Sequence, residues 1–357
     1  MALVLQSVDK IVGREVHLKD IQLEFATGSR HVILGRTLAG KTSLLRIMAG
    51  LDRPTRGRIF SDDKDVTGLG VRKRSVAMVY QQFINYPSLT VYNNIASPLK
   101  LAGLSKSDID RRVRETAAML HIDNLLDRLP AELSGGQQQR TAIARALVKE
   151  SQLLLLDEPL VNLDYKLREE LRAELQQIFE ERSAVVVYTT TEPAEALMLG
   201  GNIVVMDEGR ILQAGPTPQV YRRPASMRVA EIFSDPPINF IKARVQDRQV
   251  WLGETINLPQ NGHMAHLPSG LYILGIRCNH LLLKPSSPAD VAMRVSVELC
   301  EINGSETFIH INYENTRLVL QDDGVHQFKI GREITVFVRP SHFFVYDPKG
   351  NLVASPA

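Results

Sequence analysis

The sequence predicts an α/β domain built on a mostly parallel sheet, followed by a smaller all-β domain. Three observations carry this. First, apolar runs (His31-Val32-Ile33-Leu34, Leu153-Leu154-Leu155-Leu156, Ala184-Val185-Val186-Val187-Tyr188) alternate with amphipathic helical segments, the pattern of strands covered on both faces. Second, helical periodicity fades beyond Pro237, and short alternating runs separated by turns such as Asp322-Asp323-Gly324 take over. Third, the first buried run is followed by Gly35-Arg36-Thr37-Leu38-Ala39-Gly40-Lys41-Thr42 and then by a helical stretch, the strand–loop–helix setting of a phosphate-binding loop.

In chain order, residues 2–34 read as antiparallel strands leading into the loop strand. A turn at 52–57 precedes a short strand at Arg58-Ile59-Phe60. A further strand at 75–80 ends at Gln81-Gln82. Apolar spacing at Ile109, Val113, Ala117 and Leu120 predicts a helix over 107–121, and helices also fit 137–148 and 165–182. Composition changes near Tyr221-Arg222-Arg223-Pro224 and again at Asp235-Pro236-Pro237. After that come strand-like runs at 271–277, 294–299 and 333–338.

The bulk numbers bound the answer. A chain of 357 residues is expected to hold two domains, or three small ones. Its 44% hydrophobic and 23% charged residues are ordinary for a globular protein, and a net charge of +2 gives no global sign of a nucleic-acid binder. Residues 236–357 carry 11 Lys+Arg and 11 Asp+Glu, which excludes a basic groove in the second domain as well. No basic segment followed by an apolar one opens the sequence, and no run of about 18 apolar residues occurs, so a membrane role is expected only through a partner. Cys278 and Cys300 lack metal-type spacing and read as buried thiols. The nine histidines, His121, His310 and His342 among them, lack ligand spacing, and Trp251 reads as barrel core.

Three stretches carry chemistry. In the loop, Gly35 and Gly40 let the backbone curl with its N–H groups inward. Residues Gly35, Arg36, Thr37, Leu38, Ala39, Gly40, Lys41, Thr42 and Ser43 then form a cradle at a helix N-terminus. Lys41 can reach terminal phosphates, and the Thr42 hydroxyl can reach a magnesium ion. Asp157-Glu158 end a buried strand: Asp157 is placed to hold magnesium, and Glu158 to polarise a water for attack on a γ-phosphate. Leu133-Ser134-Gly135-Gly136-Gln137-Gln138-Gln139-Arg140 opens a helix with backbone donors and a hydroxyl, a second anion reader. One triphosphate needs only one such reader. Two chains paired head to tail, each loop facing the other's Ser-Gly-Gly, is the economical explanation.

In order and spacing, the loop, Gln81, Ser134-Gly135-Gly136-Gln137, Leu154-Leu155-Leu156-Asp157-Glu158-Pro159 and Asn162-Leu163-Asp164 resemble the ATPase subunits of ABC transporters, over residues 1 to about 235. Leu274-Gly275-Ile276-Arg277 and Arg339-Pro340-Ser341-His342 resemble segments of the regulatory barrels of maltose-type importer ATPases. The resemblance implies a nucleotide-binding domain at 1–235 with a helical subdomain at about 85–150, and an OB-like (TOBE/MOP-like) barrel at 236–357. It implies ATP and Mg2+ as cofactors. It makes Gln81 a neighbour of magnesium and attacking water, places Phe83-Ile84-Asn85-Tyr86-Pro87 near the surface that takes a transmembrane coupling helix, and puts Asp164 across a dimer interface. The implied partners are a second ATPase subunit, the same or different, two permease subunits and, indirectly, a solute-binding protein, with the chain peripheral on the cytoplasmic face of the inner membrane.

The sequence departs from that pattern at three places. Thr191 stands where a catalytic histidine is expected, and a threonine cannot take a proton near neutral pH; loss of such a group costs about 10²-fold in rate. Val12 stands where an adenine-stacking aromatic is expected and has no π face. Thr37-Leu38-Ala39 replaces the usual loop interior, where backbone donors do the binding. These features resemble the glycerol-uptake subgroup of importer ATPases, which implies two different ATPase subunits on one transporter. The expectation is an importer ATPase subunit whose own site is slow. A fully active homodimeric subunit and a soluble ATP-dependent regulatory protein are the alternatives, and the single nucleotide domain speaks against the latter.

Overall fold

The structure, a computed structural model, describes residues 2–82, 84–161, 163–180 and 182–356. Phe83 and Asn162 lie outside the described residues. By internal packing the chain divides into Met1–Thr217 and Pro218–Ala357.

In the first unit, β1 (Leu3–Val12), β2 (Glu15–Phe25), β3 (Arg30–Gly35), α1 (Lys41–Ala49), β4 (Arg56–Ser61), β5 (Lys64–Asp65) and β6 (Val76–Val79) are followed by α2 (Val91–Leu101), α3 (Lys106–Met119) and α4 (Gly135–Leu147). Then come β7 (Leu153–Asp157), α5 (Tyr165–Glu180), β8 (Val185–Thr190), α6 (Pro193–Leu199), β9 (Asn202–Asp207) and β10 (Arg210–Pro216). A six-stranded sheet runs β10-β9-β3-β8-β7-β6, parallel except for β10. The apolar runs at 153–156 and 185–188 are buried at every position, as strands covered on both faces must be. The N-terminal strands do not lead into this sheet. β1 and β2 pair with each other and belong to a separate antiparallel sheet, β2-β1-β4-β5, while β3 enters the parallel one. The two share one core: Leu5, Ile21 and Phe25 pack with Leu44, Leu155 and Val187.

β3 ends at Gly35 and β7 at Asp157, two strands apart on either side of β8, so the sheet's carboxyl edge gathers the phosphate loop and both acids. Helix α2 has no counterpart in the sequence reading; Pro98 sits inside it and obscures the pattern, while Thr90 caps it by accepting from Asn93 N–H.

The second unit opens with α7 (Thr217–Arg222) and α8 (Met227–Ile232), followed by strands β11 (Asn239–Gln246) to β21 (Leu352–Ala354) in two antiparallel sheets of six and five strands around a common core. The sequence reading closes the first domain at 235. The packing places the preceding helical turns with the β unit instead, because Met227 N–H donates to Gly350 and Leu352 N–H to Ala225, and buried Arg277 donates to the carbonyls of Tyr221 and Phe233 with its guanidinium 3.6 Å from the Tyr221 ring centre. Trp251, expected in the core, is half-buried on the outer wall of a groove. Cys278 is buried, Cys300 is half-buried, and both are free.

Candidate nucleotide site

A cleft of about 720 Å3 is lined by Glu15, Val16 and His17 of β2, by Thr37 to Ser43, and by Gln81 and Glu158. Its floor is the start of α1. Gly40 caps that helix from the left-handed region (φ 97°), and no side chain closes the helix N-terminus. The first-turn amides therefore remain available to an anion. Leu38 is 94% exposed and contributes backbone rather than packing.

Lys41 is only 4% exposed. Its ammonium donates to the carbonyls of Gly35 (2.7 Å) and Arg36 (3.0 Å) and lies 3.0 Å from Glu158 Oε1. The loop thus folds round its own lysine. Glu158, at φ 44°, is turned back toward the cleft, and its Oε2 accepts from Gln81 Nε2 at 3.5 Å.

Asp157 is 2% exposed. Burial raises its carboxyl above the usual range, and the hydroxyls of Thr42 (3.1 Å) and Thr189 (3.0 Å), both donating to Oδ1, oppose the rise. A buried carboxylate held by a threonine at the loop's edge is a fitting donor set for a small divalent cation. Thr189 was not singled out in the sequence. It tethers both acids, because its hydroxyl also accepts from Glu158 N–H at 3.0 Å.

Ser134 caps α4 in a reciprocal box: its hydroxyl accepts from Gln137 N–H, and Gln137 Oε1 accepts from Ser134 N–H at 3.0 Å. Gly135 and Gly136 form the first turn. Ser134 to Gln137 are not among the residues lining the loop cleft. Asp164 caps α5, accepting from Leu167 N–H at 3.0 Å. The loop after Gln81 is tied to α4: Asn85 donates to Gln138 O, Arg145 donates to Ile84 O and covers the Tyr86 ring, and the wholly buried Asn94 donates to the carbonyls of Tyr86, Leu89 and Thr90.

Thr191 follows β8. It lines, with Glu158, Val161, Thr190, Glu192 and Glu195, a hollow of about 10 Å3, room for about one water. Its neighbours face elsewhere. Glu195 accepts from Tyr188 OH (3.0 Å) and Thr190 Oγ1 (2.6 Å) and lies 3.5 Å from Arg172, which also pairs with Glu169 and Glu192. Val12 lies at the end of β1, 51% exposed and outside the cleft lining, where His17 supplies the only ring among the described residues.

A phosphate loop on a parallel sheet, two acids at the end of a buried strand two places along that sheet and a second anion reader opening a separate helix define an ABC-type P-loop ATPase. The ABC transporter family matches residues 18–161. The chain is similar over nearly its whole length to import ATP-binding proteins. It is 34% identical to the sn-glycerol-3-phosphate import ATP-binding protein UgpC 3 of Agrobacterium fabrum (98% of this chain, 99% of the relative). It is 37% identical to the trehalose/maltose import ATP-binding protein MalK of Thermococcus litoralis (96% of each). It is 38% identical to UgpC of Escherichia coli K12 (89% and 90%). Among solved structures, an ATP-binding cassette in a dimeric post-hydrolysis state with ADP and Pi superposes with a TM-score of 0.55 at 29% identity, covering 60% of this chain and 98% of that one. The chain belongs to the ATP-binding subunits of ABC importers and hydrolyses ATP in support of transport.

Proposed function

We propose that this chain powers an importer of a small polar solute, glycerol or a related polyol or sugar, as one half of a pair with a second, different ATPase subunit, and that its own site is the slow one. The observation that carries the reading is Thr191 at the end of β8, beside an intact Glu158. Names of relatives support the solute class: sn-glycerol-3-phosphate for several, trehalose and maltose for another.

Lys41 and the first-turn amides of α1 hold the phosphates. Thr42, Gln81 and Asp157 would hold magnesium, which would supply positive charge to offset that of the phosphates. Glu158, released from Lys41, orients the attacking water with Gln81. Thr191 offers that water a hydroxyl but no basic nitrogen, so the last positioning contact is missing. Ser134, Gly135, Gly136 and Asp164 complete the partner's site. The bonds from the Gln81 loop to α4 give closure a route to the permease subunits, with the chain on the cytoplasmic face of the membrane. The C-terminal unit is an OB-like regulatory barrel.

In the assembled complex, Thr191→His raises ATP turnover several-fold. Unchanged turnover, with the purified chain alone hydrolysing ATP at the complex's rate, instead favours a fully active homodimer that tolerates threonine.

A further inference from the structure

We infer that His17 is a nucleotide-contacting residue that grips the ribose–α-phosphate end of ATP and takes over, by hydrogen bonding, the hold a base-stacking aromatic would otherwise supply. The inference rests on the reading of this cleft as an ATP site.

The cleft has two ends. Glu158 and Gln81 gather on Lys41, which marks the terminal-phosphate end. His17 sits on Ser43, two residues further along α1, with Nδ1 3.1 Å from Ser43 Oγ. With the serine hydroxyl donating to Nδ1, the ring proton resides on Nε2, and Glu15 Oε2 lies 3.7 Å from that nitrogen. The imidazole is thus held at Nδ1 by Ser43, and its Nε2 edge, which no hydrogen bond to Glu15 occupies at that distance, is offered along the wall where the chain of phosphates gives way to the sugar.

The backbone under His17 is fixed with little slack. A Cβ on Gly40, inside the phosphate loop, would meet His17 O at 2.7 Å, and one on Gly209 would meet the same oxygen at 2.7 Å. Lys19 N–H donates to Gly209 O at 2.8 Å. β2 therefore runs between the loop and the β9–β10 turn, with the His17 backbone against both, and His17 lines the cleft. Val12 is absent from the lining, so no side chain there offers a broad aromatic face to the base. Recognition shifts from the base to the sugar–phosphate junction, which every nucleotide shares.

The test uses the purified full-length chain titrated with MgATP, MgADP and MgGTP. His17→Val, whose side chain suits a strand, weakens all three by about tenfold and by the same factor. His17→Asn, which keeps a donor, recovers most of the loss, and His17→Phe, a ring without one, does not. Binding by His17→Val within twofold of the native chain overturns the assignment, as does recovery with Phe but not Asn, which would make the ring a stacking platform. Failure of the native chain to bind MgATP would refute the nucleotide reading itself, a result distinct from either.

Discussion

Around Lys41 the polar side chains converge on the cleft: ammonium on carboxylate, threonine on aspartate, glutamine on glutamate. Around Thr191, one strand away, they converge on Arg172 and turn from the cleft, with Glu195 holding Tyr188 and Thr190 and Glu192 held by Arg168 and Arg172. In the first arrangement Lys41, Thr42, Gln81 and Glu158 line an open cleft. The second is bonded within the fold, although Nε of Arg168 and Nε of Arg172 are buried without a partner. Binding and hydrolysis are separable demands, and the contrast between the interlocked side chains around Lys41 and the separate network around Thr191 is what the variants below probe.

The largest expected effect lies at the converging end. Lys41→Ala removes the buried cation that gathers Gly35, Arg36 and Glu158, and should reduce both ATP affinity of the chain and ATP turnover of the complex by about 10²–10³-fold. Equilibrium titration and a turnover assay read this directly, with a melting curve to confirm folding. Undiminished affinity would erase the contrast, because the convergence on Lys41 would then have no bearing on nucleotide.

A smaller, comparative effect sharpens it. If this chain's acid serves a slow site and its signature serves a competent one, Ser134→Ala should lower turnover of the complex at least tenfold more than Glu158→Gln does. Part of the Ser134 effect is the lost helix cap, about 1 kcal/mol, which a stability measurement separates. The reverse order would mean that the Glu158 site does the hydrolysis despite Thr191.

Much of the converging end was legible because its parts are contiguous: the loop is eight residues in a row, and Asp157-Glu158 follow four leucines. The buried strands were legible for the same reason. His17 and Thr189 were not, since nothing local marks them. His17 reaches the cleft only because Gly40 and Gly209 admit the β2 backbone, and Thr189 only because β8 lies beside β7 in register with Asp157. α2 was hidden by Pro98, and the domain limit at 235 missed long-range bonds from residues 221–233 to the β unit. Thr191 was visible as an odd residue, but its setting depends on Arg172, contributed from α5.

The smallest expected effect tests whether the Thr191 corner is a packing network. Burial raises the Glu195 carboxyl above the ordinary glutamate value of 4.5, against the opposing pull of Thr190, Tyr188 and Arg172. A carboxyl raised in the fold binds its proton more readily folded than unfolded. Its contribution is therefore present below the raised value and is lost as pH climbs through it. Glu195→Gln keeps an acceptor for Tyr188 and Thr190 and does not titrate, so it should lie within about 1 kcal/mol of the native chain. Urea melts stepped upward from pH 4.5 should show the native chain losing ground to the variant. If instead the native chain gains as pH rises, Arg172 holds the carboxylate ionised, and the corner is an ion-pair network rather than one built on a neutral carboxyl.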